Sequence, residues 1–129
     1  MKGQKDKVGE VIRIYTDGSG CRPDGKGSGF AWLRQDTGER KITRENGLTN
    51  NQAEYRAILA ALEPLPKGAT AEILTDSENT CFQLKGQRRT LDPKLAELNE
   101  KIRMLGKAKN LSVAFLWIPR RENLAGKLL

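Results

Sequence analysis

The pattern of apolar and polar residues predicts three strands, a helix, a strand, two helices, a strand and a terminal helix, in that order. Residues 11–15 form a short β-prone run closed by Gly-Ser-Gly, which is typical of a largely buried strand. Apolar runs at 30–33, 71–75 and 111–118 predict further strands. A polar strand at 40–44 is expected at an edge of the sheet.

Helices are expected where apolar residues recur at spacings of three and four. Thr49 and Gln52 have the spacing of a capping box, and an apolar stripe follows them. A short second helix should end near Gly86, and a longer third helix should start at Asp92-Pro93. Residues 120–129 are expected to form a short terminal helix. The order of elements indicates an α/β fold whose sheet is antiparallel at one end and covered by helices.

The composition restricts the class of protein. A chain of 129 residues is expected to form one domain spanning 1–129, and its polar N-terminal segment predicts neither a signal peptide nor a membrane span. We therefore expect a cytoplasmic protein with no membrane association. Cys21 and Cys81 have no CxxC spacing and the chain has no histidine, which argues against zinc sites, disulfide frameworks and His-dependent nucleophiles. Carboxylates remain as the candidate catalytic or metal-binding groups.

The formal net charge of +7 is unevenly distributed along the chain. Residues 1–84 contain 12 basic and 12 acidic residues, whereas residues 85–129 contain 11 basic and 4 acidic ones. The whole excess therefore lies in the last third, which indicates a surface that meets a polyanion, with nucleic acid the first candidate. A solvated surface that confers solubility is the alternative that charge alone leaves open.

Three acidic residues stand where carboxylates can converge. Asp17 ends the first predicted strand, Asp76 follows the fourth, and Glu54 lies on the buried side of the first helix, in its first turn. Asp17 can instead simply open a turn, and Glu54 can complement the helix dipole. Asp76 or Ser77 can cap the following helix, so that capping and metal binding both stay open for Asp76.

Four short motifs, in this order and on these elements, resemble ribonuclease H type 1. They are Tyr15-Thr16-Asp17-Gly18-Ser19-Gly20, Thr49-Asn50-Asn51-Gln52-Ala53-Glu54, Thr75-Asp76-Ser77 and Arg121-Glu122-Asn123. The resemblance implies a ribonuclease H-like fold, with a five-stranded mixed sheet in the order 3-2-1-4-5 flanked by helices. It implies that Asp17, Glu54 and Asp76 converge above the central strands.

The resemblance also implies two Mg²⁺ ions, with Mn²⁺ as the alternative ion. The implied reaction is endonucleolytic hydrolysis of the RNA strand of RNA/DNA hybrids, which leaves 3′-hydroxyl and 5′-phosphate ends. Divalent cations suit such a site, since clustered carboxylates repel one another and hard Mg²⁺ prefers oxygen ligands.

The resemblance assigns substrate contacts as well. Thr49, Asn50 and Asn51 match a stretch that contacts phosphate and minor-groove edges, and the backbone from Ser19 to Cys21 matches the part that senses RNA 2′-hydroxyls. Many bacterial relatives carry a basic helical protrusion where this chain has only a short loop, in which Arg88 and Arg89 are expected to contact phosphates. The expected partner is the hybrid; we expect a monomer with no obligate protein partner.

The fourth metal ligand is the weakest part of the match. The family usually places an aspartate on the terminal helix, but an ungapped comparison puts Lys127 there. Three alternatives follow: the site has only three protein ligands, Glu122 reaches in, or Asn123 faces the metals. Asn123 is favoured because its neutral carbonyl oxygen is a hard-metal donor, although capping of the terminal segment is equally compatible with its position.

Two other classes of function compete with the nuclease. One is a nucleic-acid-binding module that keeps the fold and has lost its chemistry, which the missing fourth carboxylate favours. The other is a related nuclease acting on branched DNA or a transposon end, which the Asn50-Asn51 signature and the small size disfavour. The chain also has Arg120-Arg121 where many relatives carry a mobile histidine, so substrate affinity and product release are expected to differ.

Overall fold

The computed structural model describes residues 10–20 and 27–129 of the chain. From β1 to β5 the elements of this part follow the order that the sequence predicts: three strands, a helix, a strand, two helices and a strand. The strands are β1 (Val11–Ser19), β2 (Gly29–Arg34), β3 (Arg40–Arg44), β4 (Thr70–Thr75) and β5 (Ser112–Trp117). The helices are α1 (Asn50–Leu62), α2 (Glu78–Leu84) and α3 (Pro93–Ala108).

The five strands form one mixed sheet in the order β3-β2-β1-β4-β5. The β1–β2 and β2–β3 pairs are antiparallel, while β1–β4 and β4–β5 are parallel. Both the predicted α/β fold class and the strand order are thereby confirmed, and the polar strand β3 does lie at an edge. Thr16 is paired with Thr75, so that Asp17 and Asp76, one residue further, emerge side by side from the same edge of the sheet.

Helix α1 packs directly on the central strands. Ile14 of β1, Ile58 of α1 and Ile73 of β4 are at most 1% exposed and form the centre of the core. At Gly18 the two elements are so close that an added Cβ would stand 2.3 Å from the carbonyl carbon of Ala53. The absence of a side chain at Gly18 therefore sets how near α1, and with it Glu54, can approach β1.

Side chains at the helix starts agree with the sequence. Thr49 Oγ1 accepts a hydrogen bond from the Gln52 amide at 3.1 Å, and Gln52 Oε1 accepts one from the Thr49 amide at 2.9 Å, which completes the capping box. Ser77 caps α2 by accepting from the Thr80 amide at 3.3 Å. Of the two capping alternatives, Ser77 is therefore the cap, which leaves the Asp76 carboxylate available for other contacts.

The predicted terminal helix over 120–129 is wrong in type. Two short 3₁₀ segments, Arg120–Glu122 and Leu124–Leu128, occupy this part of the chain. Asn123 separates them because its backbone is extended, at φ −86° and ψ 102°, and its side chain caps the second segment. This cap brings the terminal segment down onto β1 and β2.

Two further sequence expectations concern cysteine and the membrane. Cys81 is a buried free thiol in α2, and burial raises its pKa; Cys21 lies outside the described residues. Among the described helices there is none with both the length and the apolar character needed to cross a bilayer.

Candidate active site

Three carboxylates meet at the carboxyl ends of the central parallel strands. Asp17 lies near the end of β1, Asp76 directly follows β4, and Glu54 reaches the same point from α1. One oxygen of each carboxylate can be chosen so that all three lie within 4.8 Å of one another. The adjacent parallel strands bring the two aspartates together, and the close contact at Gly18 brings Glu54 over them.

Glu54 is the most deeply placed of the three. Glu54 is 8% exposed, and its Oε1 atom is buried without a hydrogen-bond partner in the described structure. Burial, together with the charges of Asp17 and Asp76, raises its pKa to about 9. It is the fifth residue of α1, just past the first turn, where a contribution to the helix dipole is small. Its position therefore favours a role as a ligand for a cation over a role in complementing the dipole of α1.

Asp17 shares this electrostatic environment. Burial, and then the neighbouring Asp76 carboxylate, raises its pKa to about 7, while the charge of Arg120 opposes the shift. The terminal segment approaches Asp17 closely, since a Cβ added at Gly126 would stand 3.2 Å from Asp17 Oδ2. The small residue at 126 therefore leaves room for this carboxylate.

Asn123 holds the third carboxylate in place. Its Nδ2 donates to Asp76 Oδ2 at 3.0 Å and to the Thr16 carbonyl oxygen at 2.9 Å. Its Oδ1 accepts from the Ala125 amide at 3.1 Å. These partners fix the orientation of the amide, because the reverse orientation would set oxygen against oxygen at Thr16 and nitrogen against N–H at Ala125.

The preferred sequence interpretation of Asn123 is therefore corrected. The oxygen that was expected to face the metals caps the terminal segment, and the nitrogen faces Asp76 instead. Asn123 is 1% exposed and acts here as a positioning residue for Asp76. The alternative that the sequence left open, that Asn123 caps the terminal segment, is the role of its side-chain oxygen.

The three carboxylates line a cavity of about 440 Å³, and basic side chains line it as well. Glu122 is exposed and does not line this cavity, whereas Lys127 does, so the described site offers three side-chain carboxylates. Arg120 and Arg121 line it too, a role that the sequence indicated only by their place just before Asn123. The cavity is lined by Asp17, Gly18, Ser19, Asn50, Glu54, Asp76, Arg120, Arg121, Asn123, Gly126, Lys127 and Leu129.

The residues expected to read the substrate divide into two groups. Ser19 and Asn50 line the cavity; Asn50 Oδ1 accepts from the Gly20 amide at 2.7 Å and so ties the end of β1 to the start of α1. Thr49 and Asn51 are exposed beside Asn50. Cys21 lies outside the described residues.

Arg88 and Arg89 lie in the exposed loop after α2 and do not line the cavity. Arg88 Nη1 donates to Asn79 Oδ1 at 3.2 Å, and its guanidinium lies 5.1 Å from the centre of the Phe82 ring. The two arginines are connected to the carboxylates along the chain by α2, which begins two residues after Asp76.

Trp117 borders the site from the end of β5. Its indole N–H donates to the backbone oxygen of Asp76 at 3.2 Å, and the residue is 47% exposed. This contact was not identified from the sequence; the available indication was a tryptophan at the end of the strand predicted over 111–118. Trp117 thus fixes the backbone at the point where Asp76 leaves the sheet.

Comparisons with known proteins agree with the fold and the site. The sequence pattern of the RNase H family matches residues 9–123. Ribonuclease H of Acidiphilium cryptum is 31% identical over 121 residues, which cover 85% of this chain and 75% of that protein. RNase H1 of the archaeon Halobacterium salinarum is 27% identical and superposes with a TM-score of 0.79 over 92% of this chain and 93% of that one.

A further solved structure, LC11-RNase H1 in complex with an RNA/DNA hybrid, is 29% identical with a TM-score of 0.79, covering 91% of this chain and 92% of that one. The family match spans most of the chain, the mixed sheet has the expected order, and the three acidic residues converge at its centre. On these grounds the chain belongs to the RNase H family, among its type 1 members.

Proposed function

We propose that the protein is an endoribonuclease that hydrolyses the RNA strand of RNA/DNA hybrids and leaves 3′-hydroxyl and 5′-phosphate ends. The observation that carries the proposal is the convergence of Asp17, Glu54 and Asp76 within 4.8 Å on a ribonuclease H sheet. The solved relative with a bound RNA/DNA hybrid supports the substrate. One domain over residues 1–129 is part of the same proposal.

The donor set fits divalent cations. The unpartnered, buried Glu54 Oε1 would gain a partner, and the mutual repulsion of the carboxylates would be neutralised. Asp17, Glu54 and Asp76 would hold two Mg²⁺ ions, or Mn²⁺ in their place. When bound, such ions supply activation of the attacking water and stabilisation of the leaving 3′ oxygen.

The protein groups prepare this site for the reaction. Asn123 holds the Asp76 carboxylate through its amide nitrogen. Gly18 leaves room for the close approach of α1, and Gly126 leaves room for the Asp17 carboxylate. Arg120 brings a positive charge near Asp17 and Glu54, where the charge of a scissile phosphate would lie. These groups keep the ligands in place before substrate arrives.

Substrate recognition would divide between two surfaces. Thr49, Asn50 and Asn51 at the start of α1, together with the backbone from Ser19 to Cys21, would contact the minor groove and RNA 2′-hydroxyls. Arg88 and Arg89 would contact phosphates further along the duplex.

The proposal is tested with a labelled RNA/DNA hybrid, using Mg²⁺, Mn²⁺ or EDTA, beside duplex DNA and duplex RNA. We expect metal-dependent cleavage of the RNA strand of the hybrid alone. Asp17→Asn should lower the rate by orders of magnitude while the thermal unfolding midpoint is kept or raised. An Asp17→Asn variant that cleaves at the parental rate would rule out this site, and cleavage of duplex DNA instead of the hybrid would favour the DNA nuclease.

A binding module without chemistry is the second candidate, because Lys127 stands where the family usually has its fourth carboxylate. On that hypothesis the protein binds the hybrid with measurable affinity in EDTA and leaves the RNA intact in Mg²⁺ or Mn²⁺. The same assay therefore separates the two functions.

A further inference from the structure

A chain of four hydrogen bonds runs through the buried side of the helical layer. Arg103 Nε donates to Asn99 Oδ1 at 2.7 Å, and Asn99 Nδ2 donates to the Tyr55 hydroxyl at 3.3 Å. Tyr55 Oη then donates to Gln83 Oε1 at 2.7 Å, and Gln83 Nε2 donates to the backbone carbonyl of Arg89 at 3.3 Å. The chain thus connects α3, α1 and α2 and ends on the basic loop, residues 85–90.

All four bonds point in the same direction, from the Arg103 guanidinium to the Arg89 carbonyl. Each side-chain amide can take part in one orientation only. A reversed Asn99 would set its NH₂ group against the Arg103 N–H, and a reversed Gln83 would set its oxygen against the Arg89 carbonyl oxygen. Tyr55, Gln83 and Asn99 are at most 7% exposed, so water cannot readily replace a lost partner. The network therefore has a single satisfied arrangement, and that arrangement fixes the position of the loop backbone at Arg89.

The basic loop that the network reaches is ordered by a second contact. Lys85 Nζ lies 5.6 Å and Arg88 Cζ 5.1 Å from the centre of the Phe82 ring, so two cations share one aromatic platform on α2. Arg88 also approaches the Glu78 carboxylate at 3.9 Å. Lys85 and Arg88 therefore lie on one exposed surface; with the neighbouring exposed Arg89 they define what we call the basic loop surface, Lys85, Arg88 and Arg89.

We propose that the hydrogen-bond chain through Tyr55 and Gln83 positions the basic loop surface to bind the phosphate backbone of the hybrid. Tyr55 directly follows Glu54 in α1, so the same helix presents a carboxylate to the cavity and an anchor to the loop. The distance between the carboxylates and the phosphate contacts is then set by buried groups rather than by the flexible side chains of the loop. This inference rests on the proposed function, because it takes the hybrid as the ligand.

The test compares Tyr55→Phe with the parent in three measurements. These are hybrid affinity by fluorescence anisotropy in EDTA at several salt concentrations, steady-state cleavage in Mg²⁺, and amide hydrogen exchange over residues 85–90. We expect affinity to fall by about fivefold, the loss equivalent to one net hydrogen bond. KM should rise, kcat should stay within about twofold of the parent, and the loop amides should exchange faster.

Gln83→Glu is the second variant. Its carboxylate can still accept from Tyr55 but cannot donate to the Arg89 carbonyl, so it breaks the last bond of the chain and also adds a buried negative charge beside the loop. It should reproduce the loss of affinity and the faster loop exchange. Ile58→Val is the matched control, because Ile58 is fully buried in α1 outside the network and should lower stability without changing hybrid affinity.

The outcomes distinguish this inference from the proposed function. If the parent neither binds nor cleaves the hybrid, the proposed function fails. If the parent binds while Tyr55→Phe and Gln83→Glu keep parental affinity and loop exchange, the network is only part of the core and the inference is overturned. A change in kcat at unchanged KM would also overturn it, by showing that the network acts on the carboxylates.

Discussion

Glu54 is a buried acid whose ionised form is disfavoured in the metal-free protein. Its pKa lies at about 9 in the folded protein against an ordinary value of 4.5, because it is desolvated and faces Asp17 and Asp76; the backbone hydrogen bond from Gly18 and the charge of Arg120 act in the other direction. A group whose pKa is raised by folding stabilises the fold fully below the unfolded value and loses that contribution as the pH rises through the folded value. The metal-free protein should therefore lose stability between about pH 4.5 and 9.

Glu54→Gln tests this directly. The variant removes the charge, so we expect its thermal unfolding midpoint in EDTA to vary less with pH and its stability at pH 8 to exceed that of the parent by several kcal/mol. Cleavage should be lost. Added Mg²⁺ should raise the midpoint of the parent and not that of the variant. Equal pH dependence in both proteins would show that Glu54 is not the group that titrates.

For Asn123, the sequence and the structure predict opposite effects of a single substitution. The sequence alone predicts that Asn123→Asp keeps or raises activity, since a carboxylate would be a better metal ligand. With its nitrogen on Asp76 and the Thr16 carbonyl, the structure predicts the reverse, because an aspartate would set oxygen against both. Asn123→Asp should lower cleavage and stability, and Asn123→Ala should cost about 1–3 kcal/mol.

The measurement for Asn123 is hybrid cleavage as a function of Mg²⁺ concentration, paired with thermal unfolding. A lower metal requirement in Asn123→Asp, at parental stability, would restore the ligand role. The sequence had no means of deciding this, because both roles use the same amide and only the neighbours Thr16 and Ala125 determine which atom faces inward.

The elements of the fold position the site through backbone proximity. The pairing of β1 with β4 places two aspartates at neighbouring strand ends, and the contact at Gly18 sets the height of α1 above them. Apolar periodicity predicted these elements well, since strands and amphipathic helices each have a clear repeat. It failed for residues 120–129, where one side-chain cap at Asn123 outweighs the local pattern.

Gly18→Ala should disturb this element contact. The added Cβ would stand 2.3 Å from the Ala53 carbonyl carbon, so α1 must move away from β1; we expect a loss of about 1–3 kcal/mol and a marked fall in cleavage. Gly106→Ala is the matched control, since it lies within α3 with nothing within 4 Å, and it should add about 0.4–1 kcal/mol. Parental activity in Gly18→Ala would mean that α1 and the carboxylates tolerate the shift.

At the scale of the whole molecule, the positive charge is concentrated in residues 85–129, which supply Arg120, Arg121 and Lys127 to the cavity and the three cations of the basic loop surface. The sequence predicted the excess but could not show that six of the eleven basic residues lie in these two places, while the other five lie on α3 or at its end. That division depends on α2 and on the terminal segment, whose positions are set by tertiary contacts.

Replacing Arg88 and Arg89 together by Ala should weaken hybrid binding. If both contact phosphates, the slope of log K against log salt should fall by about two units, and the kinetic effect should appear in KM. Lys94→Ala with Lys101→Ala removes the same charge from the exposed surface of α3 and should leave the slope close to that of the parent. Equal slopes in the two double variants would show that only net charge matters.

Trp117 makes the site observable without any substrate. Its indole is half exposed and hydrogen-bonded to the Asp76 backbone, whereas the other tryptophan, Trp32, is 5% exposed in the core. Movement of Asp76 would alter the surroundings of one fluorophore and leave the second as an internal reference. We therefore expect the emission of Trp117 to change when a cation binds at the carboxylates, including in variants that no longer cut RNA.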